Sequence, residues 1–237
     1  MFSFFGIALH LQLQIKKMQL NTVIFDMDGL LIDSEPLWQE AATEVFRNYG
    51  LSLTEEQMVS TTGLRTHEYV KWWFGYYGIG NDELALAEKK IIHYVLENIE
   101  RKGKIMPGVH YIFDFFTKRN FKIGLASSSP QELIDLVIDL IDIKKYLHTT
   151  ASAEHLAYGK PHPQVYLDCA EKLQSNVYEC ICFEDSFNGM IAAKAAKMKC
   201  VIVPHHSQMK EDRWGAADLK LSSLQNFGEL HFNLVSG

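Results

Sequence analysis

The sequence predicts an α/β fold: a doubly wound parallel sheet carrying an all-helical block after its first strand. Three observations predict it. Short apolar, β-rich runs recur at residues 22–25, 121–125, 147–151, 180–183 and 200–203, as expected of strands buried on both faces. Helical patterns alternate with the later runs, at 130–141, 163–173 and 186–196. Strands alternating with helices give a parallel sheet with helices on both sides. Between the first and second runs the alternation fails. Residues 36–49, 54–60, 66–77 and 82–101 all read as helices, with turns near Gly50, Gly63 and Gly78 to Gly80.

These patterns divide the chain into a core, residues 18–33 and 105–237, and a helical domain, residues 34–104, with hinges near 33–36 and 103–108. A length of 237 residues fits such a core plus a smaller insertion, and 47% hydrophobic residues suffice for a sizeable interior. The 29 acidic residues outnumber the 23 basic ones, which argues against a nucleic-acid partner or a membrane-surface role. An anionic substrate stays open, because one lysine and one metal ion can reverse the potential inside a cleft. The four cysteines, Cys169, Cys180, Cys182 and Cys200, form neither a disulfide framework nor a zinc-like pair of pairs. They read as reduced core thiols, and so as those of a cytoplasmic protein. Residues 1–17 stand apart as an N-terminal extension. They are too short and too interrupted by His10, Gln12 and Gln14 to span a bilayer, and they lack the flanks of a signal peptide. Met18 directly precedes the first strand and would make a natural start.

The candidate chemistry begins where the first strand ends. In Phe25-Asp26-Met27-Asp28-Gly29 two carboxylates lie two residues apart, so a strand that stops there presents both on one side. Two acids that close cannot both ionise cheaply in a dry pocket without a cation. The pair therefore implies a divalent metal or a division into nucleophile and proton carrier; a solvated acidic turn is the plain alternative. Ser127 and Ser128 end the second run. Ser129-Pro130-Gln131-Glu132 behind them matches a capping box with proline in the first helical position. That places Ser127 and Ser128 before a helix N-terminus, where free amides and the dipole favour an anion. The Ser127 hydroxyl and the Ser128 amide are thus expected to meet a phosphate, with Ser129 as the cap. Glu184-Asp185-Ser186 ends the fourth run. It reads both as an acidic metal site and as a helix start capped by Asp185 or Ser186. In open parallel sheets ligands bind at the carboxyl ends of the strands, where Asp26, Ser127 and Asp185 all fall.

The pattern D-x-D-G-x-L-x-D-S, followed in order by Ser127-Ser128, by Lys160 in Tyr158-Gly159-Lys160-Pro161, and by Glu184-Asp185-Ser186, resembles the haloacid dehalogenase superfamily. The likeness is to its sugar-phosphate phosphatase and β-phosphoglucomutase branch and covers about residues 18–225. The stretches 25–38, 151–154, 160–170 and 184–190 resemble bacterial 2-deoxyglucose-6-phosphate and hexitol-phosphate phosphatases most. The resemblance implies a Rossmann-like core with a small α-helical cap, and Mg2+ as cofactor. It implies Asp26 as nucleophile and Asp28 as general acid and base. Asp26, Asp185 and the Asp28 main-chain carbonyl would hold the metal, Glu184 would bind or support it, and Asn188 would support it from behind. Lys160 would bind the phosphate and temper its repulsion by Asp26; a solvated loop lysine is the alternative. Arg65, in Gly63-Leu64-Arg65, matches a position where relatives hold the far end of the substrate, although a solvated arginine reads nearly as well. The aromatic residues Trp72, Trp73, Phe74, Tyr76 and Tyr77 are equally readable as helix–helix core or as a sugar platform. The ten histidines form no metal-like or triad spacing, and His205-His206 reads as an exposed loop.

The expected function is a magnesium-dependent phosphatase for a small sugar or polyol phosphate, acting as a monomer. The alternative is a β-phosphoglucomutase. Those mutases resemble this chain in the core motifs but carry a histidine in the first cap helix, where this sequence has Trp38, and a second cap cation with no clear counterpart here. A non-catalytic binder would be expected to have lost Asp26, Asp28 or Lys160, and a dehalogenase to lack Asp28; all three residues are present.

Overall fold

Strands β1 (Thr22–Phe25), β2 (Lys122–Ser127), β3 (Thr149–Ser152), β4 (Cys180–Glu184), β5 (Lys199–Ile202) and β6 (Leu219–Lys220) pair in the order β3-β2-β1-β4-β5-β6. Every pairing is parallel. The computed structural model describes residues 19–237, so the expectations for residues 1–17 and for Met18 lie outside the described residues. The chain builds outward from β1 to β3 and then returns to lay β4 against the other side of β1. The carboxyl ends of β1 and β4 therefore border the point where the winding reverses, the usual ligand position in such sheets.

The strand period of two sorts side chains to two faces. Val23 and Phe25 of β1 join one buried cluster, and Ile24 between them joins another. The first is aromatic: Phe25 lies 4.8 Å from Phe113 and 5.1 Å from Phe183, centroid to centroid, and Phe183 lies 5.0 Å from Phe227. The second holds the small residues Ala126, Ala192 and Ala193 with all four thiols. Those thiols are free and buried, as expected.

The five expected strands are present; β1 has the expected bounds, and the ends of the other four are shifted by one or two residues. Phe121 closes a turn onto Phe116, and Leu147 closes one onto Lys144, so β2 and β3 begin after them. β6, only two residues long, was not anticipated. The inserted helices are α1 (Glu35–Arg47), α2 (Glu55–Ser60), α3 (Thr66–Tyr77) and α4 (Leu84–Lys102). Thr54 and Gln57 form a reciprocal capping box on α2. Gly78, at φ 72°, ends α3 in the left-handed conformation that suits glycine. The chain leaves and re-enters the core side by side: Asp33 N–H donates to Lys104 O at 2.8 Å and Met106 N–H to Leu31 O at 2.9 Å. A further helix, α5 (Val109–Thr117), precedes β2. Its apolar residues at 109, 112, 113 and 116 have helical spacing, so the signal was present in the sequence. Helices α6 (Gln131–Leu140), α7 (Gln164–Lys172) and α8 (Phe187–Ala195) follow β2, β3 and β4, and α9 (Glu229–Ser236) closes the chain. No helix among the described residues is long and apolar enough to cross a membrane.

Candidate active site

β1 ends at Phe25, and the backbone turns back at once: the Leu31 N–H donates to Met27 O at 2.8 Å. Gly29 sits in this turn at φ 72°, and a Cβ there would overlap Asp185 Oδ2. Glycine is thus required twice, by the conformation and by the approach of the acid from β4. Asp26, Glu184 and Asp185 are all buried, and one carboxylate oxygen from each lies within 4.8 Å of the others. Lys160, also buried, donates from Nζ to Asp26 Oδ1, to Glu184 Oε1 at 2.6 Å and to Ala126 O at 3.2 Å.

Glu184 anchors the group. Its Oε1 also accepts from the Tyr166 hydroxyl at 2.6 Å, and its Oε2 accepts from Asp185 N–H, Ser186 N–H and Ser186 Oγ at 3.1–3.2 Å. Gly189, in the first turn of α8, leaves the space this carboxylate fills. Ser186 caps α8 by accepting from Gly189 N–H, one of the two readings of that motif. Three carboxylates face one ammonium, and the electrostatics follow. Burial first, then the neighbouring Glu184, pushes the Asp26 carboxyl well above its ordinary pKa, against the pull of Lys160. Burial first, then Asp26 and Glu184, does the same to Asp185. Burial on its own would lower Lys160, but Asp26 and Glu184 outweigh it and hold the ammonium protonated. Such a cluster is short of positive charge.

Asp28 stands apart from this trio, and its carboxylate is tied by hydroxyls and an indole. Oδ1 accepts from Ser34 Oγ at 2.7 Å and Trp38 Nε1 at 2.9 Å; Oδ2 accepts from Ser129 Oγ at 2.7 Å and Ser127 Oγ at 3.4 Å. This corrects the reading of Ser129. Helix α6 starts one residue later than a cap at Ser129 requires, with Pro130 in the capping position and no side-chain cap. The Ser129 hydroxyl instead donates to the Asp28 carboxylate, a stronger hydrogen bond than the neutral one a cap would accept from a main-chain N–H. Ser34 likewise precedes α1 without capping it.

Asp26, Asp28, Ser127, Ser128, Lys160 and Asp185 border one cleft of about 760 Å³, including its open mouth. The helical block supplies the facing wall, with Glu35, Trp38, Gln39, Thr61, Thr62 and Tyr69. Two expected residues lie elsewhere. Arg65 is not in the cleft wall; its guanidinium donates to the carbonyls of Ala153, Leu156 and Ala157. Asn188 donates to Thr62 O at 2.8 Å. Ser128 faces the cleft but gives its hydroxyl to Gly63 O at 2.8 Å. None of the clustered aromatic residues lines the cleft: Trp73 and Phe74 are core, whereas Trp72 and Tyr76 are 61% and 67% exposed on the outer surface. Sequence reasoning missed the roles of Ser34, Ser129, Glu35 and Tyr166; only the proximity of Ser34 and Glu35 to the aspartate pair could have drawn attention to any of them.

The sequence matches the family model for haloacid dehalogenase-like hydrolases over residues 23–203. The chain belongs to this family. Among similar haloacid dehalogenase-like proteins, hexitol phosphatase B of Escherichia coli (strain K12) is 39% identical over 87% of this chain and 93% of its own length. The phosphorylated carbohydrates phosphatase of Thermotoga maritima is 31% identical over 79% of this chain and 87% of its own. The β-phosphoglucomutase structure from Clostridium difficile superposes with a TM-score of 0.82 over 92% of this chain and 97% of that one, at 23% identity. That likeness speaks for the fold.

Proposed function

We propose that this phosphoric monoester hydrolase is a magnesium-dependent phosphatase acting on a small sugar or polyol phosphate, namely a hexose, 2-deoxyhexose or hexitol phosphate. The observation that carries the proposal is the make-up of the cleft. Asp26, Asp28, Ser127 and Lys160 border one end, and among the described residues Lys160 is the only lysine or arginine in the whole wall. One phosphate is accommodated at that end. The rest of the wall sets the hydroxyls of Thr61, Thr62 and Tyr69, the Gln39 amide and the Glu35 carboxyl among the apolar side chains of Met58, Leu64 and Ile91, a lining that suits a hydroxyl-bearing tail without a second phosphate. The names of the relatives, hexitol phosphatase and phosphorylated carbohydrates phosphatase, support the same substrate class. We read residues 34–104 as a cap over the core, and four buried thiols are in keeping with a reducing cytoplasm.

The acidic cluster fits a hard divalent cation. Its donors are all carboxylate oxygens, and burial leaves two of the acids starved of positive charge. Magnesium suits an oxygen site built on few carboxylates. Asp26 and Asp185 would hold it, with the Asp28 main-chain carbonyl contributing and Glu184 in support, whereas the Asn188 amide is given to Thr62 O. Bound there, it would offset the negative charge on the phosphoryl oxygens.

The residues themselves supply the rest. Lys160 occupies Asp26 Oδ1, which leaves Oδ2 to attack phosphorus and form an aspartyl-phosphate. Asp28 gives a proton to the departing alkoxide and then takes one from the attacking water, help typically worth ~10²–10⁴ in rate. Its hydrogen bonds decide where that proton sits. Trp38 Nε1 can only donate, so Oδ1 disfavours a proton. Ser127 and Ser129 can turn from donor to acceptor, so Oδ2 carries it. The Ser127 hydroxyl and the Ser128 amide, ahead of α6, are assigned to the phosphate oxygens.

A phosphate-release screen over hexose, deoxyhexose, pentose and hexitol phosphates tests the proposal; activity confined to other phosphate classes refutes it. Incubation with β-glucose 1-phosphate and a trace of the 1,6-bisphosphate tests the mutase alternative. A single-cation cleft predicts phosphate release, and efficient conversion to glucose 6-phosphate would reverse the choice.

A further inference from the structure

The segment carrying Lys160 runs from β3 to α7 without regular structure, so something other than a ladder or helix must hold it. Two cap residues at the start of α3 do. Arg65 Nη1 donates to Ala153 O at 3.0 Å and Leu156 O at 2.6 Å, and Nη2 donates to Ala157 O at 3.4 Å and Glu68 Oε1 at 2.8 Å. Glu68 Oε1 also accepts from Gly159 N–H at 2.9 Å. Gly159 directly precedes Lys160, and a Cβ on it would stand 2.5 Å from Glu68 Oε2 and 2.7 Å from Arg65 Cγ. The arginine side chain is only 11% exposed and the glutamate 26%. Arg65 Nε and Glu68 Oε2 have no partner among the described residues, so the pair is not a two-pronged fork; its grip is on the main chain. Burial on its own would raise the Glu68 pKa, but the bonds from Arg65 and from Gly159 N–H outweigh it and hold the carboxyl below its ordinary value.

We propose that Arg65 and Glu68 are positioning residues, a clasp by which the closed cap fixes the 153–160 segment and so sets Lys160 against Asp26 and Glu184. The far end of the substrate is then left to a wall that has no second lysine or arginine. A planar guanidinium holds its donors in a rigid fork that matches several carbonyls in one fixed geometry, whereas the donors of an ammonium turn on a flexible stem. The Ser128 hydroxyl on Gly63 O and the Asn188 amide on Thr62 O extend the same contact to the loop after β2 and to the first turn of α8. The proposal rests on the phosphatase reading but not on the identity of the sugar.

The test uses the full chain with magnesium, as wild type, Arg65→Lys, Arg65→Ala, Glu68→Gln, Glu68→Ala, the double alanine variant and Gly159→Ala. The last opens the clasp from the core side. Each is assayed with p-nitrophenyl phosphate, which has no hydroxylated tail, and with the sugar phosphate preferred by the wild type. Hydrogen exchange at residues 153–160 is measured in parallel. A clasp predicts an equal fall in kcat on both substrates, on the order of 10- to 100-fold for the alanine variants. Arg65→Lys should give little rescue, and the double variant should be no worse than the weaker single, because both residues hold one segment. Faster exchange at 153–160 should accompany each loss. Loss confined to the sugar phosphate, as a raised KM in the Arg65 variants with Glu68→Ala near wild type, would make Arg65 a substrate ligand and overturn the proposal. Unchanged exchange at 153–160 would overturn it too, and that measurement stands even if the wild type hydrolyses neither ester, a result that would instead refute the phosphatase reading.

Discussion

Replacing Glu35 by Gln probes how firmly the inserted helical block packs on the acid cluster. Glu35 lies in the first turn of α1, with its Cγ 3.4 Å from where a Gly29 Cβ would be, a point that Asp185 also approaches closely. Burial first, then the charge of Asp28, pushes its carboxyl from 4.5 up to about 7. For an acid with a raised folded pKa the native state binds more protons than the unfolded chain between those two values. Stability is therefore complete below about pH 4.5, declines as pH rises, and levels off above about 7. A separation of about 2.5 in pKa, at 1.36 kcal/mol per unit, amounts to about 3 kcal/mol. Glutamine has the same shape without the charge. In excess chelator the two proteins should melt alike near pH 4.5, and Glu35→Gln should be more stable by about 3 kcal/mol at pH 8. For a chain of this size that is roughly 6–12 °C in Tm. Asp26 and Asp185 slope both curves in the same direction, and because the Glu35 charge also raises Asp185, the difference between the curves reports Glu35 together with that coupling. Parallel melting curves from pH 5 to 8 would show that Glu35 is solvated, and that the helical block does not rest on the acids in solution.

Asp26→Asn should reduce turnover by at least ~10⁴ while leaving the fold and the melting temperature undiminished, because it removes a buried carboxylate already short of positive charge; steady-state rates within 100-fold of wild type would exclude Asp26 as nucleophile. Chelation should stop hydrolysis and magnesium restore it. Saturation to about 100 Kd should add ~2.7 kcal/mol of stability in a thermal melt, and turnover in excess chelator would contradict the assigned site. Asp218 is held below its ordinary 3.8, where burial alone would raise it, by bonds from Lys194, the Cys200 N–H and Lys199. Its contribution is present above pH 3.8 and fades as pH falls below that. Asp218→Asn should therefore cost about 1–3 kcal/mol in neutral urea titrations, a gap that closes toward pH 3; a gap independent of pH would sink the assignment.

The parts of the site readable in advance are those that depend on strand ends. Asp26, Ser127 and Asp185 could be placed because apolar runs end beside them and a parallel sheet gathers such ends together. The failures share a different cause. Ser129 sits in a local pattern that spells a helix cap, yet its hydroxyl answers Asp28, 101 residues away. Arg65 reads as a turn arginine facing a substrate, yet its carbonyl partners lie 88 to 92 residues along the chain. Trp38 was noticed for the histidine it replaces, and only the folded chain shows its indole on Asp28. β6 is too short to carry a period of its own.

The sequence by itself determined the α/β class, the inserted helical block and the set of acids, serines and lysine available for chemistry. Side-chain period, turn glycines and alternating elements are local properties and are written along the chain. Which of these groups meet, which acids lose their water and which residues of the helical block bond to the core instead of lining the cleft follow from the folded arrangement. Desolvation and hydrogen bonding depend on neighbours brought together across about a hundred residues, and no window of sequence contains both partners.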